Sequence, residues 1–203
     1  MEPTAAPAEG VVAIGASAGG IEALCDLAAG MPTGLPFAVM IVIHMGRETP
    51  SLLAEIIDRS GPVPAVAAVD GAALEAGRIY AAVPDRHLLA RDHRAVLSTG
   101  PLERGRRPAI DPLFRSVALD YGRQAIGVLM SGLLDDGVAG LGAIKAAGGT
   151  TVVQDLADAL YPDLPRNAIR AGVADQTAAA TDIGGLLARL ARRIIDEPAA
   201  DAG

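Results

Sequence analysis

Residues 11–29 read VVAIGASAGGIEALCDLAA, and the succession of textures in this stretch decides the fold. The four apolar residues 11–14 form a short run ended by Gly15, which reads as a strand. After a turn of small residues, Ile21, Leu24, Cys25 and Leu27 recur at helical spacing. The reading is strand, glycine-rich turn, helix. Within the turn, Gly15, Ser17 and Gly19 match GxSxG in the strand-to-helix context where a strained turn exposes a seryl hydroxyl. A helix starting near Gly20 aims its unpaired N–H groups and the positive end of its dipole at this turn, which favours developing negative charge. The same turn also suits a structural or phosphate-binding loop. Against that alternative, it lacks GxGxxG and GxxxxGK[ST], and no acidic ribose partner stands at the expected distance.

The next unit repeats the theme. Residues 37–43 (FAVMIVI) are a continuous apolar run ending at His44, and Leu52, Leu53, Ile56 and Ile57 form a helical stripe up to Ser60, with Pro50 in a first helical turn. Short β-like pieces at 78–82, 87–90 and 95–98, separated by polar turns, read as an edge hairpin. Further on, the pattern predicts helix 112–121, strand 125–130, helix 138–147 closed by Gly148 and Gly149, and strand 151–154. Helices at 165–171 and 183–196 finish the chain. Strands alternating with helices imply a doubly wound, mostly parallel sheet in a three-layer α/β/α sandwich with that edge β-hairpin. Residues 1–10 read as a flexible leader, 11–196 as one catalytic domain and 197–203 as a flexible tail.

Composition narrows the function. The 203 residues are 51% hydrophobic but only 2% aromatic, without Trp, so the core must be built from Ala, Val, Leu and Ile. A net charge of −7 argues against a surface that attracts nucleic acid or anionic lipid. The single cysteine, Cys25, has no internal disulfide partner. No secretory leader is apparent, and the longest apolar run falls far short of the roughly 18 residues that suggest a membrane span. The chain reads as cytoplasmic, without membrane insertion. One Cys and three scattered His form no metal-ligand pattern, and no cofactor is expected.

In such sheets functional groups gather beyond the carboxyl ends of the strands. Three segments qualify here: 15–20, 44–47 and 131–137. Ser17 needs a base, and only three histidines exist. His87 opens a β piece and His93 lies in a polar turn, whereas His44 ends the strand next to the first one, where it can take the hydroxyl proton. Its imidazole in turn needs a carboxylate to fix its tautomer. Asp135 and Asp136 stand at the same edge. One of them can instead cap the helix beginning near Val138, and spacing alone leaves the choice open.

Several blocks resemble the catalytic domain of CheB-type chemotaxis protein-glutamate methylesterases: IGASAGGIEAL, VIHM, DGAALEAGRIYAAVPDRHLL, RPAIDPLFRSVA, GVLMSGLLDDGVAGL and AGGTTVVQDLADALYPDLPRNAI. The resemblance runs from Val11 to about Leu190. It implies the same α/β sandwich, with Ser17 as nucleophile, His44 as base and Asp136, the aspartate directly before glycine, as the orienting acid. It also implies backbone N–H groups of Ala18 and Leu133 as an oxyanion hole, and Gly19, Met45, Arg106, Pro165 and Arg166 as substrate-binding candidates. The implied activity is hydrolysis of glutamate methyl esters on chemoreceptor cytoplasmic helices, with glutamine deamidation beside it. A separate receiver protein or receptor methyltransferase is a further implied partner, since only ten residues precede Val11 where the family carries a receiver domain. Arg104, Arg106 and Arg107 are candidates to meet an acidic receptor surface. The chain departs from the family pattern at Ala18, Leu134, Gly46 to Thr49 and Arg106. A catalytically weak scaffold that only binds receptors is the remaining alternative.

Overall fold

The computed structural model describes residues 6–47 and 51–197. In chain order its elements are β1 (Val11–Ala16), α1 (Gly20–Ala29), β2 (Ala38–Ile43), α2 (Leu53–Ser60), β3 (Ala65–Ala67), β4 (Ile79–Ala81), β5 (His87–Arg91) and β6 (Arg94–Ser98). They continue with α3 (Ile110–Tyr121), a 3-10 turn at Gly122–Gln124, β7 (Ala125–Leu129), α4 (Val138–Ala146), β8 (Thr150–Gln154), α5 (Asp163–Arg170), β9 (Gln176–Ala178) and α6 (Ala180–Asp196).

Seven strands form one sheet in the order β3-β4-β2-β1-β7-β8-β9, and every neighbouring pair is parallel. Alternate residues of each strand enter opposite layers. From β1, Val12, Ile14 and Ala16 pack with Leu24, Leu27, Ile57, Ile183 and Leu187 of α1, α2 and α6. Val11 and Ala13 face the other layer, where Phe114, Leu141, Ile144 and Leu164 come from α3, α4 and α5. Burying each such Leu or Ile contributes about 1.5–3 kcal/mol, so aliphatic side chains suffice for a core that has almost no aromatic rings. The three-layer α/β/α sandwich expected from the alternating pattern is therefore present.

The differences lie at the edges and in the middle. β3 and β9 are three-residue edge strands whose sequences, AVA and QTA, carry no strand signal of their own. The 78–82 piece joins the main sheet as β4, parallel to β2 and β3. Only β5 and β6 form the hairpin, a separate antiparallel two-stranded sheet that packs on α3 through Leu88 and Ala90. Of the leader expected at 1–10, residues 6–10 run along the fold: Ala8 N–H donates to the Leu74 carbonyl and Glu9 N–H to that of Pro36. Pro50, Glu48, Thr49, residues 1–5 and the tail from 198 onward lie outside the described residues.

Topology alone marks where a ligand would go. The chain leaves β1 towards β2 on one side and later returns to β7 on the other. The strand order thus reverses at β1, and crevices open beyond the carboxyl ends of strands at such a point.

Candidate active site

Strand register brings the first two groups together. Ala16 of β1 is the partner of Ile43 of β2, so Ser17 and His44, each the next residue, leave the sheet side by side at the spacing of adjacent strands, about 4.8 Å. The imidazole Nδ1 lies 2.8 Å from Ser17 Oγ. On the other side of β1, the Ser17 N–H donates to the Ser131 carbonyl at 2.9 Å, extending the β1–β7 ladder by one bond. Gly132 presses against the serine: a methyl group there would come within 2.9 Å of Ser17 Cβ. Gly19 adopts φ +66 at the head of α1, a left-handed conformation that glycine takes at no steric cost. A side chain there would also strike Leu160 and Ser131.

The carboxylate is Asp136. Its Oδ2 accepts from His44 Nε2 at 2.6 Å, and the two side chains are only 7% and 6% exposed. Oδ2 also accepts the Ile110 N–H at 2.9 Å, and Oδ1 accepts the Asp111 N–H at 3.0 Å. These N–H groups open α3, where unpaired donors and the helix dipole favour an anion. Burial pushes the Asp136 carboxyl upward, but the His44, Ile110 and Asp111 hydrogen bonds outweigh it and hold the group below its ordinary value. Asp111 answers from the other side: its Oδ1 accepts the Gly137 and Gly140 N–H groups at 3.0 and 2.7 Å, closing the start of α4. Two helices thus exchange carboxylate caps. Asp111 is deeply buried, and burial raises its carboxyl.

With Nε2–H given to Asp136, Nδ1 carries the lone pair that faces the seryl hydroxyl. This is the reverse of the more familiar use of the two nitrogens in serine proteases, but the relay is the same: carboxylate, imidazole, hydroxyl. Asp135 points elsewhere, pairing with Arg104 in the solvent-exposed rim. Neither aspartate side chain caps α4, a role the sequence leaves open to them: its N-cap is Gly137, and Asp111 accepts the N–H groups at its start.

The remaining candidates are less uniform. Among the described residues, the N–H groups of Ala18 and Leu133 meet no intramolecular acceptor, and Leu133 follows the glycine that touches Ser17. Met45 is partly buried between the two core layers. Pro165 is buried in the first turn of α5, and Arg166 pairs with Asp163 at 2.6 Å. Arg106 is exposed, while Arg107 is bound internally to Asp85 at 2.7 Å and to the carbonyls of Thr99 and Gly100. Asp85 also receives Arg47 at 2.7 Å, and these two arginines, Arg47 first, lower its carboxyl to about 2. Two of the three arginines offered to an acidic partner, Arg104 and Arg107, are thus engaged within the chain. Among the described residues no three His, Cys, Asp or Glu side chains gather as a metal-binding group, and no helix is long and apolar enough to cross a membrane.

Sequence reasoning passed over the supports behind the serine. Ser131 Oγ donates to the Ala18 carbonyl at 2.8 Å and accepts the Tyr161 N–H at 3.0 Å, tying the turn that carries Ser17 to the loop before α5. The Ser131 N–H is held at 2.8 Å by Gln154 Oε1, whose amide nitrogen donates to Asp158 at 2.8 Å. Ser131 and Gln154 are polar residues at strand ends that are nonetheless buried, and such groups are seldom buried without a partner. A serine between an apolar strand and a glycine was the available signal.

A doubly wound α/β sandwich with a hydrogen-bonded Ser–His–Asp line at its topological switch point has the architecture and side chains of the serine hydrolases. Comparison with known proteins narrows the class. The family model of CheB methylesterase matches residues 12–187. The chain is 39% identical over 193 residues to protein-glutamate methylesterase/protein-glutamine glutaminase 3 of Anaeromyxobacter dehalogenans (strain 2CP-C), covering 94% of this chain and 56% of the relative. To number 5 of the same organism it is 40% identical, with 91% and 52% covered. The crystal structure of the Thermotoga maritima CheB methylesterase catalytic domain superposes with a TM-score of 0.84 at 28% identity, covering 89% of this chain and 98% of that one. The chain belongs to the CheB methylesterase family. It spans about half the length of the curated relatives it matches.

Proposed function

We propose that residues 11–196 form a protein-glutamate methylesterase domain that hydrolyses glutamate γ-methyl esters on the cytoplasmic helices of chemoreceptors, and so works in the cytoplasm. The observation that carries this reading is the continuous line from Asp136 through His44 to Ser17, with contacts of 2.6 and 2.8 Å. The relatives' printed names, methylesterase and glutaminase, supply the substrate class and add glutamine amides as a second one.

In this mechanism Ser17 Oγ attacks the γ-carbonyl carbon while His44 Nδ1 takes the hydroxyl proton. The carbonyl oxygen becomes an anion that the Ala18 and Leu133 N–H groups receive, helped by the positive end of α1. The imidazolium, stabilised by Asp136, then gives its proton to the departing methoxide, which leaves as methanol. A water molecule gives a proton to Nδ1 and adds its oxygen to the acyl carbon. The ester bond to Ser17 breaks, the proton on Nδ1 passes to Oγ, and the product leaves as a glutamic acid side chain that ionises to the carboxylate by giving its proton to solvent.

Methanol release from a methylated receptor cytoplasmic fragment tests the proposal. Ser17→Ala should abolish release while leaving Tm within about 2 °C, since no other hydrogen bond of the fold uses the hydroxyl among the described residues. Turnover retained by that variant would remove Ser17 from the mechanism, and a wild-type chain that releases no methanol would remove the function.

A further inference from the structure

Leu134 is the one apolar non-glycine residue with positive φ, +67, among the described residues. Asp or Asn at such a position can offset the steric penalty with a local hydrogen bond, and glycine has no penalty, but leucine gains neither advantage. Nor does burial compensate, because Leu134 is 66% exposed. Nothing within the folded chain accounts for a branched apolar side chain at this point. The turn is nonetheless held in place: Asn167 Nδ2 donates to the Leu134 carbonyl at 2.7 Å, and the Val138 N–H donates to the Asp135 carbonyl. A strained, exposed and clamped residue beside a reaction centre indicates a contact made with something outside the chain.

Its position says with what. Leu134 stands two residues after Gly132, which touches Ser17, and two before Asp136, which holds His44. Two residues span at most about 7 Å, and side chains one turn apart on a helix are about 5–6 Å apart. Leu160, beside Gly19, is 67% exposed, and Leu133 is 44% exposed, so further apolar side chains stand open to solvent close to the nucleophile turn.

We propose that Leu134 is a specificity residue whose side chain receives an apolar residue one helical turn from the esterified glutamate of the polypeptide substrate. The inference rests on the methylesterase reading and adds what that reading omits, a reason to prefer one methylation site over another.

The test compares Leu134→Gly, Leu134→Ala and Leu134→Met by methanol release from a methylated receptor cytoplasmic fragment, with Tm measured on each. Losing the side chain should raise KM about ten-fold for the Gly and Ala variants with kcat within about two-fold. The Met variant, which keeps the apolar volume, should stay within about three-fold of the wild-type KM. Glycine should also raise Tm by about 2–4 °C by relieving the backbone, whereas alanine should not. A more stable Gly variant with weaker substrate binding separates this role from a merely structural one. An unchanged KM in both truncations, or a KM effect confined to glycine, overturns the inference while leaving the methylesterase reading intact. Absence of methanol release by the wild-type chain overturns both.

Discussion

Asp136→Asn replaces one carboxylate oxygen by an NH2 group where every neighbour is already a donor. Oδ2 receives His44 Nε2–H and the Ile110 N–H, and Oδ1 receives the Asp111 N–H. If the amide nitrogen takes the Oδ1 position, it opposes the Asp111 N–H. If it takes the Oδ2 position, it opposes the Ile110 N–H and forces the imidazole proton onto Nδ1, where it blocks acceptance from Ser17. In both orientations one buried N–H loses its acceptor, at about 1–3 kcal/mol, and the charge that balances the imidazolium disappears. For a chain of this size the expected loss in Tm is roughly 2–12 °C. The expected fall in kcat is about 10⁴-fold, the effect of turning a triad carboxylate into an amide. Asp135→Asn is the control. Its carboxylate and Arg104 are each about half exposed, a pair worth at most about 1 kcal/mol, so kcat should stay within about three-fold of wild type. Methanol release at saturating substrate, with thermal unfolding alongside, reads both quantities. Equal losses from the two variants, or an Asp136→Asn enzyme within ten-fold of wild type, would refute the division of labour between the neighbours.

The depressed native value of Asp136 makes stability fall in acid: its contribution is full above the unfolded-state value near 4 and is lost as pH drops through the lower native value. Tm should therefore decline more steeply below about pH 4 in wild type than in Asp136→Asn, and parallel curves would contradict this; Asp111, raised by burial, acts in the opposite direction in both proteins. Gln154→Leu should lower Tm by about 2–12 °C by orphaning the buried Ser131 N–H. It should also reduce kcat more than it raises KM, because Ser131 holds the Ser17 backbone and not the substrate. A KM effect alone would detach Gln154 from the nucleophile turn.

What the sequence makes legible is whatever repeats or stands at a strand end. The runs at 11–14, 37–43 and 125–130 are long and apolar enough to identify central strands, and their parallel order carries Ser17 and His44 to one edge without further information. The register that makes them immediate neighbours, Ala16 opposite Ile43, emerges only in the assembled sheet. Edge strands β3 and β9 escape notice because three residues with one face exposed need no apolar run. The choice between Asp135 and Asp136 is equally hidden in spacing. It is made by the start of α3, more than twenty residues away in sequence, whose free N–H groups take the second carboxylate and leave the first to Arg104. Arg104 and Arg107 look available in a list of charges, yet Asp135 and Asp85 occupy them.

The exchange of carboxylates between α3 and α4 makes the three members of the relay unequal in another sense. A gene copy that drifts from hydrolysis to a purely adhesive role can discard the hydroxyl or the imidazole with little harm to the architecture. It cannot discard the acid without unfastening the head of α3. Among silent descendants of such an enzyme, Asp136 should outlive its two companions, a relic kept for masonry after the workshop has closed.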